Sequence, residues 1–411
     1  MDEEAQQSFQ HPKDSEALQV LMEDSKRRRY EIKKENLDDK GIGRLTDGYR
    51  DKDLIKIIRH FMAMASERGL VNANIQRLLH HSMMRWEAGH DFDYGDMGCR
   101  LYDDEGPGDQ GCLCFIINTM HGKTNRYGKL EYIGCYRHKD VERCPVGAVA
   151  QLLYWFFHIR GDPPPNHKDP ASWYTTVIRA GRDITTAYAY QTHYDNLKKA
   201  FEKLKIFSTK KAHAARVSSV RHAQSQNVGA ENIKGLTHHD KAQTRVLEAV
   251  YYDELPRQAM RAMAGFPPDK QLYFLPRNLV KPSEALRKQV FPWVDEALAF
   301  HSDPQNEGAL ICAKECLEFL DQCRTILLQD AVLLMDRSFQ VEGQEEPWSY
   351  RMHPIYQTAL FRSQDFNTFG SNLKVVMAEA KGPEETTLET LMPALNEKLD
   401  TMHQANMAAC S

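Results

Sequence analysis

The run Val146 to Ile159 is apolar almost throughout and carries Trp155, Phe156 and Phe157 in succession. Cys144-Pro145 opens it, and Gly161 followed by Pro163, Pro164 and Pro165 closes it. Proline is tolerated in the first helical turn and stops a helix beyond it, so this punctuation predicts one bounded helix. A helix that is apolar on every side has to be wrapped by other elements. The run therefore predicts a mainly α fold with this helix at its centre. It falls short of the roughly 18 apolar residues that a membrane span needs, as does every other stretch, so no membrane partner is expected.

The neighbouring segments suit that role. Leu54, Ile57, Ile58, Phe61 and Met62, then Ile75, Leu78, Leu79, Met83 and Met84, recur at three- and four-residue spacing. They predict helical structure over Asp51–Trp86 with a turn around Gly69, delivering Arg85 at its end. Cys112–Asn118 and Leu130–Arg137 read as two strands, with Lys123 near the tip of the hairpin between them. Thr185–Ile206 reads as an amphipathic helix with lysines outward, and Ala309–Phe339 as a long helix. Cys312, Cys316 and Cys323 lie at offsets of four and seven on one apolar face of it, which predicts core packing rather than a metal site. No metal or other cofactor is expected. The nine cysteines have no framework spacing, as in a reducing compartment.

The expected class is mainly α with a small antiparallel β-sheet. The expected organisation is a flexible charged arm over 1–45, a core over 46–265, a helical extension over 266–340, and an acidic, partly disordered tail over 341–411 with a terminal helix at Thr387–Met407. The arm holds a helix-like stretch, Asp14 to Lys34, with a basic run at Lys26-Arg27-Arg28-Arg29.

A net charge of −4 argues against a simple nucleic-acid binder, but the charge is unevenly distributed. Residues 301–411 hold 8 Lys and Arg against 17 Asp and Glu, and the remainder holds 45 against 40. Between Lys198 and Arg221 there are eight basic residues and one acid, Glu202. Such an island, with Lys198, Lys199, Lys203, Lys210, Lys211 and Arg221 as its candidate contacts, is the footprint that a phosphate backbone asks for. A solvated helix face is the plainer account of the same residues.

Directly after the island comes the order His213-Ala-Ala-Arg216, His238-His239, Tyr251-Tyr252. Arginine is permanently charged and forks onto phosphate oxygens. A phenol has a pKa of about 10, so it attacks a phosphate only beside a base and with the phosphate charge neutralised. Arg216 has the chemistry to hold the non-bridging oxygens, and either His213 or His239 to move protons. An amphipathic helical hairpin with scattered histidines is the alternative.

Further stretches give these residues a context. They are Met84-Arg85-Trp86-Glu87 with Asp96, His121-Gly-Lys123-Thr-Asn-Arg-Tyr-Gly128 running on to Tyr132, Tyr136-Arg137-His138, Cys144-Pro-Val-Gly-Ala148, and Leu255 to Phe266 with Tyr251 ahead of Pro256. Taken together, Leu45 to Ala299 resembles the tyrosine-recombinase-like domain shared by crypton-type mobile-element recombinases and the large DNA-binding subunit of the fungal centromere complex.

The resemblance implies a tyrosine recombinase/integrase-like catalytic core plus a helical C-terminal extension. It implies that Arg85 and Arg216 clamp the scissile phosphate, Lys123 protonates the leaving 5′ oxygen, and His213 assists proton transfer. His239 would take the second His/Trp position and Tyr251 would form a 3′-phosphotyrosine, with Tyr252 as the neighbouring phenol. The stretch ahead of residue 45 is expected to be too short for the N-terminal helical domain of a full recombinase. The expected partner is double-stranded DNA in the nucleus, with a homodimer or higher assembly on DNA among the expected forms. Three functions follow: a DNA-gripping protein without cleavage, an active recombinase, or a protein-interaction scaffold.

Overall fold

The computed structural model describes residues 15–35, 47–107, 111–119, 131–179, 181, 183–237, 255–380 and 382. They form two units that divide after Asp47. In the first, helix α1 (Glu16–Glu35) has exposed side chains wherever they are described. The second begins at Gly48 and contains everything that follows.

Helix α2 (Asp51–Met62) buries Leu54, Ile57, Ile58, Phe61 and Met62, the stripe read from the sequence. Helix α3 (Glu67–His81) starts at Ser66, whose hydroxyl accepts from the Gly69 amide at 3.3 Å. The break between the helices thus lies at Ala63–Ser66, ahead of the expected turn at Gly69. Gly69 is needed for a different reason: a Cβ there would lie 2.3 Å from the Phe61 carbonyl oxygen, so the two helices meet at this point. From Gly69 to His81 every side chain of α3 is buried, Asn72, Asn74, Gln76, Arg77, His80 and His81 among them.

A short helix, α4 (Trp86–His90), leads into three antiparallel strands in the order β1 (Met97–Tyr102), β2 (Cys112–Thr119), β3 (Glu131–Tyr136). The hairpin read from the sequence is β2–β3, and β1 adds an outer strand. Alternation along β2 sends Phe115 and Ile117 into the main hydrophobic cluster and Cys112 and Cys114 into a second one. The sheet is therefore covered on both faces.

Helix α5 (Pro145–Tyr154) is buried from end to end, and its Cys144 cap accepts from the Gly147 amide. A π-helical turn, Trp155–Arg160, continues it to Gly161, which is left-handed. Two further helices, α6 (Tyr190–Lys203) and α7 (Lys211–Ser225), precede α8 (Ala230–Thr237) and α9 (Arg257–Met263). Then come α10 (Glu284–Arg287), α11 (Val294–Ser302) and α12 (Ile311–Leu334), the last packed on α5 and on the sheet, where Phe319 stacks on Phe115 at 4.4 Å. Cys316 and Cys323 are buried free thiols on the core face of α12.

The chain closes with strands β4 (Ser338–Phe339) and β5 (Trp348–Ser349) and helices α13 (Ala359–Arg362) and α14 (Gln364–Glu379). Trp348, Tyr350, Ile355, Tyr356, Phe361, Phe366, Phe369 and Leu373 all lie in the main cluster. Segments on both sides of the expected boundaries at 265 and 340 thus share one core, and much of the stretch expected as a tail is part of it. The reason is aromatic content: widely spaced Trp, Tyr and Phe bury large areas, although the average composition around them is polar. An ion network fastens this region. The buried carboxylate of Glu142 takes Arg59 at 2.7 and 2.9 Å, Arg337 at 2.7 Å and the Tyr350 hydroxyl at 2.9 Å. The expected terminal helix at Thr387–Met407 lies outside the described residues.

Candidate nucleic-acid interface

Helix α3 ends at Ser82, and the next residue turns the chain sharply. Met83 has a φ of 53°, a left-handed backbone on a residue with a full side chain. Its side chain is fully buried in the second cluster. Arg85 follows, half-buried, and its carbonyl accepts the first backbone hydrogen bond of α4 from Gly89 at 3.1 Å.

Helix α7 supplies the partner. His213 is exposed on its first turn, and Arg216 lies one turn further along, so their side chains share a face. Arg216 Nη1 donates to the Met83 carbonyl at 3.0 Å, and Nη2 donates to the Thr237 carbonyl at 2.6 Å. One guanidinium thus joins the turn that carries Arg85 to the last residue of α8, which leads directly into His238-His239. Of the residues expected at the site, Arg216 makes this junction, Arg85 lies two residues beyond Met83, and His213 lies one turn before Arg216 on α7. Lys123, His239 and Tyr251 lie outside the described residues, as does Tyr252.

The basic island divides into an outer and an inner part. On α6, His193, Leu197, Ala200 and Phe201 are buried and Lys198, Lys199 and Lys203 are exposed. Lys210 and Lys211 are half-buried. Lys211 Nζ donates to the Ser208 carbonyl at 2.7 Å and sits 5.3 Å from the centre of the Phe201 ring. Arg221 is half-buried against the backbone of Gly48, where an added Cβ would lie 3.2 Å from Arg221 Nη1. The α6 lysines therefore face water, while Lys211 and Arg221 turn part of their length to the protein. Lys205 and Phe207, between the two helices, are also exposed and were not singled out by the sequence reading.

A further group of histidines, which the spacing along the chain does not reveal, packs beside the turn at Ser82. His80 and His81 from α3, His138 from the loop after β3, and His222 from α7 pack ring to ring, with centroids 5.1 Å (His80–His81), 4.9 Å (His81–His138) and 6.0 Å (His80–His222) apart. Tyr49 Oη meets His80 Nδ1 at 3.0 Å, and His81 Nδ1 donates to the Met263 carbonyl of α9 at 2.7 Å. His222 Nδ1 lies 3.2 Å from Asp51 Oδ1, and Arg143 donates to the same carboxylate, one bond being 2.7 Å. Burial pushes His80, His81 and His138 well below the usual histidine range, and the nearby Arg143 adds to the effect. Burial also lowers His222, against the pull of Asp51. The cluster thus fastens α3, α7 and α9 as neutral rings. Among the described residues, no group of His, Cys, Asp and Glu has an arrangement that would hold a metal ion.

Helix α9, which follows the Tyr251 segment, is held by a different carboxylate. Glu105, fully buried after β1, accepts from Arg261 Nη1 at 2.5 and 2.8 Å, from Arg257 Nη1 at 3.3 Å and from the Tyr136 hydroxyl at 3.4 Å. The approach is close: a Cβ on Gly134 of β3 would lie 2.6 Å from Met260 Cε. The arginines of the distinctive Leu255–Phe266 stretch are thus turned towards the protein, where they fix α9 to the sheet.

The protein family described as "Centromere DNA-binding protein complex CBF3 subunit, domain 2" matches the chain over residues 70–367. No curated protein matched it. Among solved structures, one titled "FLP Recombinase-Holliday Junction Complex I" is similar at 12% identity and a TM-score of 0.39, covering 78% of this chain and 73% of that one. Among the described residues, no helix is long and apolar enough to cross a membrane.

Proposed function

The chain belongs to the family of the centromere DNA-binding protein complex CBF3 subunit, domain 2, and from that premise we propose that it grips duplex DNA, chiefly through phosphate contacts, in the nucleus. The observation that carries the reading is the α6 surface. In a chain of net charge −4, Lys198, Lys199 and Lys203 are gathered on the water-facing side of one helix. It leads directly into the helix that bears His213 and Arg216. Lysine ammonium groups on one face follow a phosphate backbone without reading bases, so the contact has little sequence preference and strong salt dependence.

The test is the affinity of the full chain for a mixed-sequence duplex across a salt series. Each phosphate contact contributes roughly 0.9 to the slope of log affinity against log salt. Replacing Lys198, Lys199 and Lys203 by alanine together is expected to lower that slope by about two to three. Binding that ignores ionic strength overturns the reading and favours a protein-interaction scaffold.

A second reading is supported by the Arg216 bridge, which ties α7 to the turn ahead of Arg85 and to the end of α8. In it, Arg85 and Arg216 neutralise the scissile phosphate and His213 and His239 assist proton transfer. The Tyr251 oxygen attacks phosphorus, and Lys123 protonates the departing 5′ oxygen. A nicked suicide duplex tests this. A covalent protein–DNA adduct with the wild type that is absent from Tyr251→Phe supports the enzyme. No adduct leaves DNA gripping without cleavage, and an adduct that persists assigns the nucleophile to Tyr252.

A further inference from the structure

We propose that the loop joining α6 to α7 carries an apolar wedge, Phe207, that enters between base steps of duplex DNA. The proposal rests on the DNA-binding reading above and adds the residue that would deform the duplex.

Phe207 is 74% exposed, so its ring stands in water. Its two chain neighbours are not: Ile206 and Ser208 are both buried. The loop is also tightly fixed on either side of the ring. Helix α6 ends with the Ile206 amide donating back to the Phe201 carbonyl at 2.8 Å and the Lys205 amide donating to the Glu202 carbonyl at 3.3 Å. This is the two-bond helix stop that needs a left-handed residue, and Lys205 takes that role with a φ of 54°. Glycine is the usual occupant, so a lysine there keeps a positive charge at the cost of backbone strain. On the other side, Ser208 Oγ accepts from the Lys210 amide at 3.2 Å and the Ser208 carbonyl accepts Lys211 Nζ at 2.7 Å. The ring therefore projects from a braced turn rather than from a slack one, and little ordering remains to be done on binding.

The surroundings indicate the occupant. Lys203, Lys205 and Lys210 lie within four residues of Phe207 in the chain, with no acid from Lys203 to Lys211. An apolar protein partner covering the ring would have to desolvate these ammonium groups without pairing them. A nucleic acid satisfies both needs at once: phosphates take the lysines, and the gap between two base pairs takes the ring. Side chains of this kind part a base step while backbone contacts offset the lost stacking. Exposed His213 and the Arg216 junction follow directly on α7, so the wedge and the phosphate contacts would act on neighbouring parts of the duplex.

The experiment uses the full chain on a relaxed closed-circular plasmid of arbitrary sequence, with topoisomerase present, so that any unwinding is fixed as a change in linking number. The wild type is expected to shift the linking number in proportion to protein bound, and Phe207→Trp to do the same. Phe207→Ala is expected to bind with the same salt slope and about tenfold lower affinity, in line with the loss of one stacked ring. It should leave the linking number unchanged. Its melting temperature should match the wild type because the ring is exposed. A wild type that binds the plasmid without changing its linking number, or a Phe207→Ala protein that changes it equally, overturns the wedge alone. A wild type that fails to bind at low salt overturns the DNA-binding reading beneath it.

Discussion

The guanidinium of Arg216 reaches the carbonyl of Met83 at 3.0 Å, and Met83 is the residue whose backbone is left-handed. The two facts belong together. A left-handed backbone on an L-residue costs roughly 1–2 kcal/mol and persists only where the surroundings over-determine it. Here the buried Met83 side chain, the Ser82 hydroxyl donating to the Leu78 carbonyl and accepting from the Met84 amide, and the Arg216 bond hold the turn. Arg216 therefore shapes the approach to Arg85 whether or not it also meets a phosphate.

Arg216→Ala should lower the free energy of unfolding by about 2–3 kcal/mol, the scale for losing hydrogen bonds to a charged donor. It should weaken DNA binding at least tenfold, because the Arg85 turn and the end of α8 lose their common tie. Lys139→Ala, at an exposed side chain, should change either quantity little. Urea melts and salt-series binding on both variants make the check. Equal effects of the two substitutions would count against a site centred on Arg216.

The histidine cluster predicts a loss of stability in mild acid. His80, His81 and His138 are held below their ordinary value by burial and stay neutral in the fold. The unfolded chain protonates them near pH 6.5. Their contribution is thus complete above about pH 6.5 and falls as pH drops below it, at up to about 1.4 kcal/mol per pH unit for each ring. Between pH 7 and 5.5 the three should together remove about 3–4 kcal/mol. Urea melts at several pH values read this directly, and a flat profile over that interval would show that the rings accept protons in place.

Glu105→Gln should destabilise the protein by about 3–5 kcal/mol, since it leaves Arg261 without its buried carboxylate. The double variant Glu105→Leu with Arg261→Met should recover much of the loss, because a buried pair can be replaced by apolar groups of similar volume. Thermal melts of Glu105→Leu alone, Arg261→Met alone and the double variant give the coupling. Additive losses would mean that the pair does not act as one unit.

Much of the architecture was legible from residue patterns. The apolar run at Val146, the three- and four-residue spacing in α2, and the alternation at Cys112 to Asn118 all report burial within a single element, which depends on local order alone. Strand β1 was not legible, because Met97–Tyr102 joins the sheet only through its register with β2. The turn between α2 and α3 was misplaced because Gly69 answers to a helix contact rather than to chain reversal. The site was half legible. His213 and Arg216 could be paired from their spacing on one helix, and the α6 lysines from their run of charge.

The amino-acid order by itself determined the central helix, the mainly helical class, the basic island and the residues worth suspecting, because each follows from periodicity or composition along a short stretch. Only the tertiary structure decided that Arg216 spends donors on Met83 and Thr237, that histidines from three distant segments meet as neutral rings, and that Phe207 projects between two buried neighbours. Those outcomes depend on which backbone groups remain unsatisfied and which surfaces remain uncovered once the elements have packed, and these are set across residues far apart in the chain.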